Sequence, residues 1–126
     1  MKKNNNLTLI LPVFNGEKYI KNTLENICSQ TFKGLKIIIS DNSSKDETHK
    51  ICKKFKRKYK NITLVKKKIT VSFLDNFISG LKLAKTKYVI FCSHDDYFNN
   101  KNYLKNLFNN LELNSATFGS IVAVNE

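Results

Sequence analysis

Short apolar runs that stop at polar clusters alternate along this chain with longer stretches of helical spacing. Leu7 to Asn15 reads LTLILPVFN, Leu35 to Ser44 reads LKIIISDNSS, and Tyr88 to Phe98 reads YVIFCSHDDYF. Such runs, bounded by turn residues, predict buried strands. On this basis strands fall at Thr8–Val13, Lys36–Ser40, Asn61–Val65, Tyr88–Cys92 and Ala116–Val124. Tyr88–Cys92, apolar on both faces, is expected to be central. Between the strands, Ile20, Leu24, Ile27 and Cys28 mark a first helix that ends near Gln30-Thr31-Phe32, with Gly34 as the break. Ile51, Cys52 and Phe55 mark a second, which Ser43, Ser44 or Asp46 could cap. Phe73, Leu74, Phe77, Ile78 and Leu81 mark a third, and Tyr103, Leu104, Leu107, Phe108 and Leu111 a fourth.

Strictly alternating strands and helices predict an α/β architecture with a mostly parallel sheet and helices on both faces. A length of 126 residues, with no repeat or linker, predicts one domain over 1–126. The pattern closes on a strand, so an uncovered sheet edge is expected there.

Composition changes this picture in two places. Cys28, Cys52 and Cys92 are odd in number, lie within apolar patterns and form no C-x-x-C, which predicts reduced core thiols in a cytoplasmic protein. No apolar run approaches the ~20 residues of a membrane span, and MKKNNN leads into a strand pattern rather than a signal sequence. The formal charge of +12 would suit a phosphate-rich partner. Arg57 is the only arginine among 22 basic residues, however, and arginine forks with aromatic platforms are what nucleic-acid readers use. A solvated lysine face is therefore expected first, peripheral contact with an anionic membrane surface such as the inner membrane face second, and no nucleic acid.

The candidate chemistry lies where the strands stop. In open parallel sheets, ligands bind beyond the carboxyl ends of the strands. Pro12-Val13-Phe14-Asn15, Asp41 and Asp95-Asp96 would thus form three sides of one polar pocket. Asp95 and Asp96 are adjacent carboxylates that repel unless a cation offsets them, and hard oxygen ligands suit Mg²⁺ or Mn²⁺ that also holds phosphate oxygens. The competing reading is a helix cap or turn. Asp41 could accept hydrogen bonds from a base or ribose, or close an Asx-turn; Asn15 could line the pocket or cap a helix. His94 is placed to touch phosphate or metal, although a lone loop histidine more often does neither. Asn76 carries no readable role.

In this order the residues resemble family 2 glycosyltransferases of the GT-A fold, a Rossmann-like architecture, from about Leu7 to Phe98. LTLILPVFNGEKYIKNTLENICSQTF is similar to the family's opening strand, P-x-[FY]-N turn and helix closing on Q-T-F. IIISDNSSKDET is similar to its D-[DN]-x-S-x-D-x-T block, here Asp41, Asn42, Ser44, Asp46 and Thr48, and YVIFCSHDDYF to the strand that ends in D-x-D. The resemblance implies that Pro12, Phe14 and Asn15 line a nucleotide pocket, that Asp41 contacts the base, and that Asp95 binds metal and diphosphate, with His94 and Asp96 beside it. It implies inverting, metal-assisted transfer from a nucleotide-diphosphate sugar to a glycan or lipid-linked acceptor in cell-surface polysaccharide synthesis. Two departures stand out. Ser93 replaces the first Asp of D-x-D, and the family's base and acceptor segments follow the region that this chain matches, so that no residue here corresponds to the base and the acceptor half is expected to be missing. The alternatives are a non-catalytic nucleotide-sugar-binding module or remnant completed by another chain, and a basic α/β interaction domain.

Overall fold

The computed structural model describes residues 6–113 and the strand at 122–124. Its elements alternate as the apolar pattern requires: β1 (Leu7–Val13), α1 (Ile20–Cys28), β2 (Leu35–Asp41), α2 (Thr48–Lys58), β3 (Ile62–Lys66), α3 (Phe73–Leu81), β4 (Tyr88–Phe91), α4 (Tyr103–Leu113) and β5 (Val122–Val124). The strand order is β3-β2-β1-β4-β5. The first four of these are parallel, and β5 pairs antiparallel with β4. β1 is thus the middle strand, while β4 is interior between β1 and β5. The part of the expected last strand before Val122 lies outside the described residues.

The two-residue period of the strands divides the interior in two. Leu7, Leu9, Leu11 and Val13 of β1, Ile37 and Ile39 of β2 and Ile90 of β4 point to one face, where Ile20, Leu24 and Ile27 of α1, Cys52 of α2 and Leu104 of α4 cover them. Ile10, Ile38 and Val89 point the other way, against Phe77 and Leu81 of α3. Full burial of each such side chain contributes about 1.5–3 kcal/mol. Helices therefore cover both faces.

α3 departs from its apolar pattern. Its buried residues are Asn76 and Gly80, while Phe73 and Leu74 remain exposed. Asn76 donates through Nδ2 to the Ser40 carbonyl at 2.9 Å, and its Oδ1 accepts from the Ser40 hydroxyl at 2.7 Å. One amide so locks the helix to the end of β2. Gly80 lets the helix lie against β1, since a Cβ there would stand 2.9 Å from Ile10 Cγ2. Gly80→Ala is expected to cost about 1–3 kcal/mol through overpacking, despite the gain in helix propensity. Urea unfolding checks this; an unchanged midpoint would mean that the helix shifts without cost.

All three cysteines are free thiols. Burial pushes Cys28 up to about 11 and Cys52 to about 12, so both remain protonated core residues. Among the described residues no helix is long and apolar enough to cross a membrane.

Candidate functional site

β1 pairs with β2 through Val13↔Asp41, but its pairing with β4 stops at Ile10↔Phe91. Beyond Ile10 the two strands part. The chain also changes direction across the sheet here, since β2 and β3 lie on one side of β1 and β4 lies on the other. Such a switch point, at the carboxyl ends of parallel strands, is where this architecture opens a crevice. Pro12, buried, and Phe14, 44% exposed, stand on the β1 lip.

The loops after β1 and β2 are laced together. Asn15, at φ 49°, takes the left-handed conformation that asparagine tolerates. Its N–H donates to Ser44 Oγ at 2.9 Å, and its Oδ1 accepts from the Lys45 N–H at 2.8 Å. The Gly16 N–H donates to Thr48 Oγ1 at 2.8 Å and the Glu17 N–H to Asp46 Oδ2 at 3.2 Å. Glu17 in turn accepts from the Glu47 N–H. Asn15 is thus a latch between loops; the residue that caps α1 is Tyr19, without a side-chain bond. Asp46 accepts from the Thr48 N–H at 2.9 Å, so it satisfies the start of α2 from one residue before the Glu47 cap. Hydrogen bonds to its carboxylate hold Asp46 below the usual carboxylate range, against a desolvation effect that would raise it.

Asp41 is fully buried at the floor of this assembly. One carboxylate oxygen accepts from the Ser44 N–H, three residues on, at 3.0 Å, and the other lies 3.1 Å from His49 Nδ1. The next residue, Asn42, stands in the sequence only as a member of the D-[DN]-x-S-x-D-x-T block, with no role of its own. Asn42 accepts from the Val71 N–H at 2.8 Å and donates to the Val71 carbonyl at 2.7 Å, which pins the connection after β3 to the same edge. Two adjacent polar residues buried after a strand were the available signal.

The loop after β4 completes the edge. His94 lies against the backbone of Gly16, where a Cβ would come 3.0 Å from its Cδ2, and its carbonyl accepts from the Thr23 hydroxyl. Ser93 to Asp96 form a turn: the Asp96 N–H donates to the Ser93 carbonyl at 3.1 Å, and Asp96 Oδ2 accepts from the Ser93 N–H at 2.7 Å. Asp96 is thus partly committed to its own turn. Asp95 is exposed and has no hydrogen-bond or ion-pair partner among the described residues. Burial, with the charges of Asp96 and Asp95, pushes the Cys92 thiol beneath them to about 12.

No group of three or more His, Cys, Asp or Glu side chains converges among the described residues. The donor set nevertheless fits Mg²⁺ or Mn²⁺, which commonly take one or two carboxylates and complete their shell with phosphate oxygens and water. Two cavities, about 490 and 790 Å³, open at the opposite edge of the sheet, near Lys36, Lys60 and Thr86 and near Phe32, Lys105 and Phe108. Neither contains any of the loop residues that converge at the carboxyl edge.

The mostly parallel Rossmann-like sheet, with helices on both faces, is the architecture of GT-A glycosyltransferase structures. The chain belongs to glycosyl transferase family 2, whose model matches residues 8–126. Among its relatives, the Bacillus subtilis minor teichoic acid biosynthesis protein GgaB is 34% identical over 97 residues, 74% of this chain and 11% of that protein. The Escherichia coli UDP-Glc:alpha-D-GlcNAc-diphosphoundecaprenol beta-1,3-glucosyltransferase WfaP is 34% identical over 92 residues, 73% of this chain and 36% of that one. Staphylococcus aureus TarS has a similar structure, with a TM-score of 0.78 at 27% identity over 86% of this chain and 20% of its own. The mannosyltransferase PcManGT from Pyrobaculum calidifontis, solved with GDP-Man and Mn²⁺, shares the fold at TM-score 0.75 and 21% identity, over 85% of this chain and 31% of that one. The chain spans between 11% and 36% of the length of such curated relatives.

Proposed function

We propose that this chain forms the donor-binding part of an inverting glycosyltransferase that uses a nucleotide-diphosphate sugar and Mg²⁺ or Mn²⁺. The observation that carries this reading is the exposed Asp95 carboxylate, without a partner among the described residues, in the turn after β4 whose His94 lies against Gly16 of the β1 loop. Solved structures of TarS residues 1–349 with UDP and with UDP-GlcNAc, and of PcManGT with GDP-Man and Mn²⁺, support it.

In this reading the exposed ring of Phe14 stacks on the base, and the latched loops hold the nucleoside. Asp41 shapes the base-side loop through Ser44 and His49. Asp95, with the uncommitted oxygen of Asp96, holds the metal, and His94 sits beside the diphosphate. Bound there, the metal would offset charge on the departing diphosphate. Asp96 also keeps the turn rigid through Ser93, so that Asp95 is presented without reorganisation. The acceptor is a glycan or a lipid-linked saccharide of a cell-surface polymer; WfaP is named for a diphosphoundecaprenol-linked acceptor and GgaB for teichoic acid biosynthesis.

Calorimetric titration with UDP and GDP, with and without Mn²⁺, tests the reading. Binding of a nucleoside diphosphate that tightens at least tenfold with Mn²⁺ is expected. Heat that is the same with and without metal would overturn the metal-assisted site.

A further inference from the structure

The β3 side of the sheet, flanked by α2, carries a second surface outside the site proposed above. No acidic residue stands between Glu47 and Asp75, whereas ten lysines and arginines do. α2 contributes many of them, and Lys53, Lys54, Lys56, Arg57 and Lys58 are all exposed. Among the described residues, the ion pair of Lys50 with Glu47 is the only one between a lysine and a carboxylate. α2 packs on β2 and on the edge strand β3, so its charge runs down one side of the molecule.

The connection from β3 to α3 adds apolar side chains to this charge. The Lys67 N–H donates to the Asp41 carbonyl at 2.8 Å, and Val71 is held at both its N–H and its carbonyl by Asn42. Lys68, Ile69 and Thr70 therefore stand out as a tip anchored on both sides. Ile69 is 73% exposed, and Phe73 and Leu74, just beyond it, are 60% and 61% exposed. Phe73 meets Phe91 edge to face, so Ile69, beside Lys66 to Lys68, is the apolar group that stands free of the core. An exposed apolar side chain beside lysines is the composition of an interfacial contact, in which the lysines meet anionic head groups and the apolar group enters the acyl boundary.

We propose that α2 and the 66–74 connection dock this protein on an anionic lipid bilayer, with Ile69 as the inserted residue. Nucleic acid is the poorer match: a single arginine lies in the patch, and Phe55 of α2 and Tyr59 at its C-cap are half-buried and stacked on each other rather than free to stack on bases.

Vesicle co-sedimentation of the full chain tests this independently of nucleotide binding. Vesicles of phosphatidylglycerol and phosphatidylcholine should capture the protein at 0.1 M salt, pure phosphatidylcholine should not, and 0.5 M salt should release it. Lys53→Glu/Lys54→Glu/Arg57→Glu should lower the partition coefficient at least tenfold, and Ile69→Asp about threefold, with circular dichroism and nucleotide affinity unchanged. Absence of capture by phosphatidylglycerol vesicles would overturn the proposal, as would capture that neither variant weakens. Duplex DNA that strips the protein from vesicles at equal phosphate concentration would assign the patch to nucleic acid instead.

Discussion

Asp95→Ala is expected to abolish the Mn²⁺-dependent part of nucleoside-diphosphate binding, weakening it about 100-fold in the presence of metal, while the fold stays intact. Changes to the partners of a metal ligand alone cost 10–100-fold, so loss of the ligand belongs at the upper end. Stability should hardly move, because the exposed Asp95 side chain gives no hydrogen bond to the described structure. Asp96→Asn separates the two carboxylates. Its amide oxygen can still accept from the Ser93 N–H, so the turn survives and only one charge is removed. A smaller loss than in Asp95→Ala is expected by calorimetry with and without Mn²⁺. Equal metal dependence in wild type and Asp95→Ala would refute the assignment.

Asp41→Ala should act through a different route and lower both stability and affinity. Removal of the buried carboxylate leaves the Ser44 N–H and His49 Nδ1 without their partner, at a cost of about 1–3 kcal/mol. Ser44 also receives the Asn15 N–H, so loosening one turn unfastens the latch to the neighbouring loop. Nucleotide affinity should therefore fall about tenfold whether or not metal is present, and urea unfolding should shift in parallel. Asp41→Asn, which keeps an oxygen for Ser44, should lose less of both. A loss confined to the metal-dependent part would mean that Asp41 serves the ion rather than the loop.

The contrast between these two carboxylates shows what the sequence could reveal. Both follow a strand, and strand ends were readable because apolar runs such as LTLILPV and LKIII announce themselves. The helices were readable by the same logic of period. Which carboxylate faces water was not readable, because burial of Asp41 depends on His49 and on a turn whose geometry no periodicity encodes. Asn42, Asn76 and Thr48 were missed as organisers for a related reason: their partners are a residue on a distant connection, a strand end and a loop backbone. Polar pairings over such separations leave no local mark. On α3 the apolar period overstated the inward face, since Phe73 and Leu74 stay largely exposed at the helix start, where Phe73 meets only the rim ring of Phe91, and Gly80 takes the position of closest approach to the sheet.

The position of β1 in the sheet bears on how the polypeptide is made. Its β2 partner emerges from the ribosome soon after it, but its other flank finds Tyr88 to Phe91 only much later in synthesis. Until then a nascent hairpin-free pair of apolar parallel strands presents an open edge, the kind of surface that recruits other chains. Pairing across so long a stretch is intrinsically slow. A chaperone that shields LTLILPV during translation should therefore raise the soluble yield more than any stabilisation of the finished sheet.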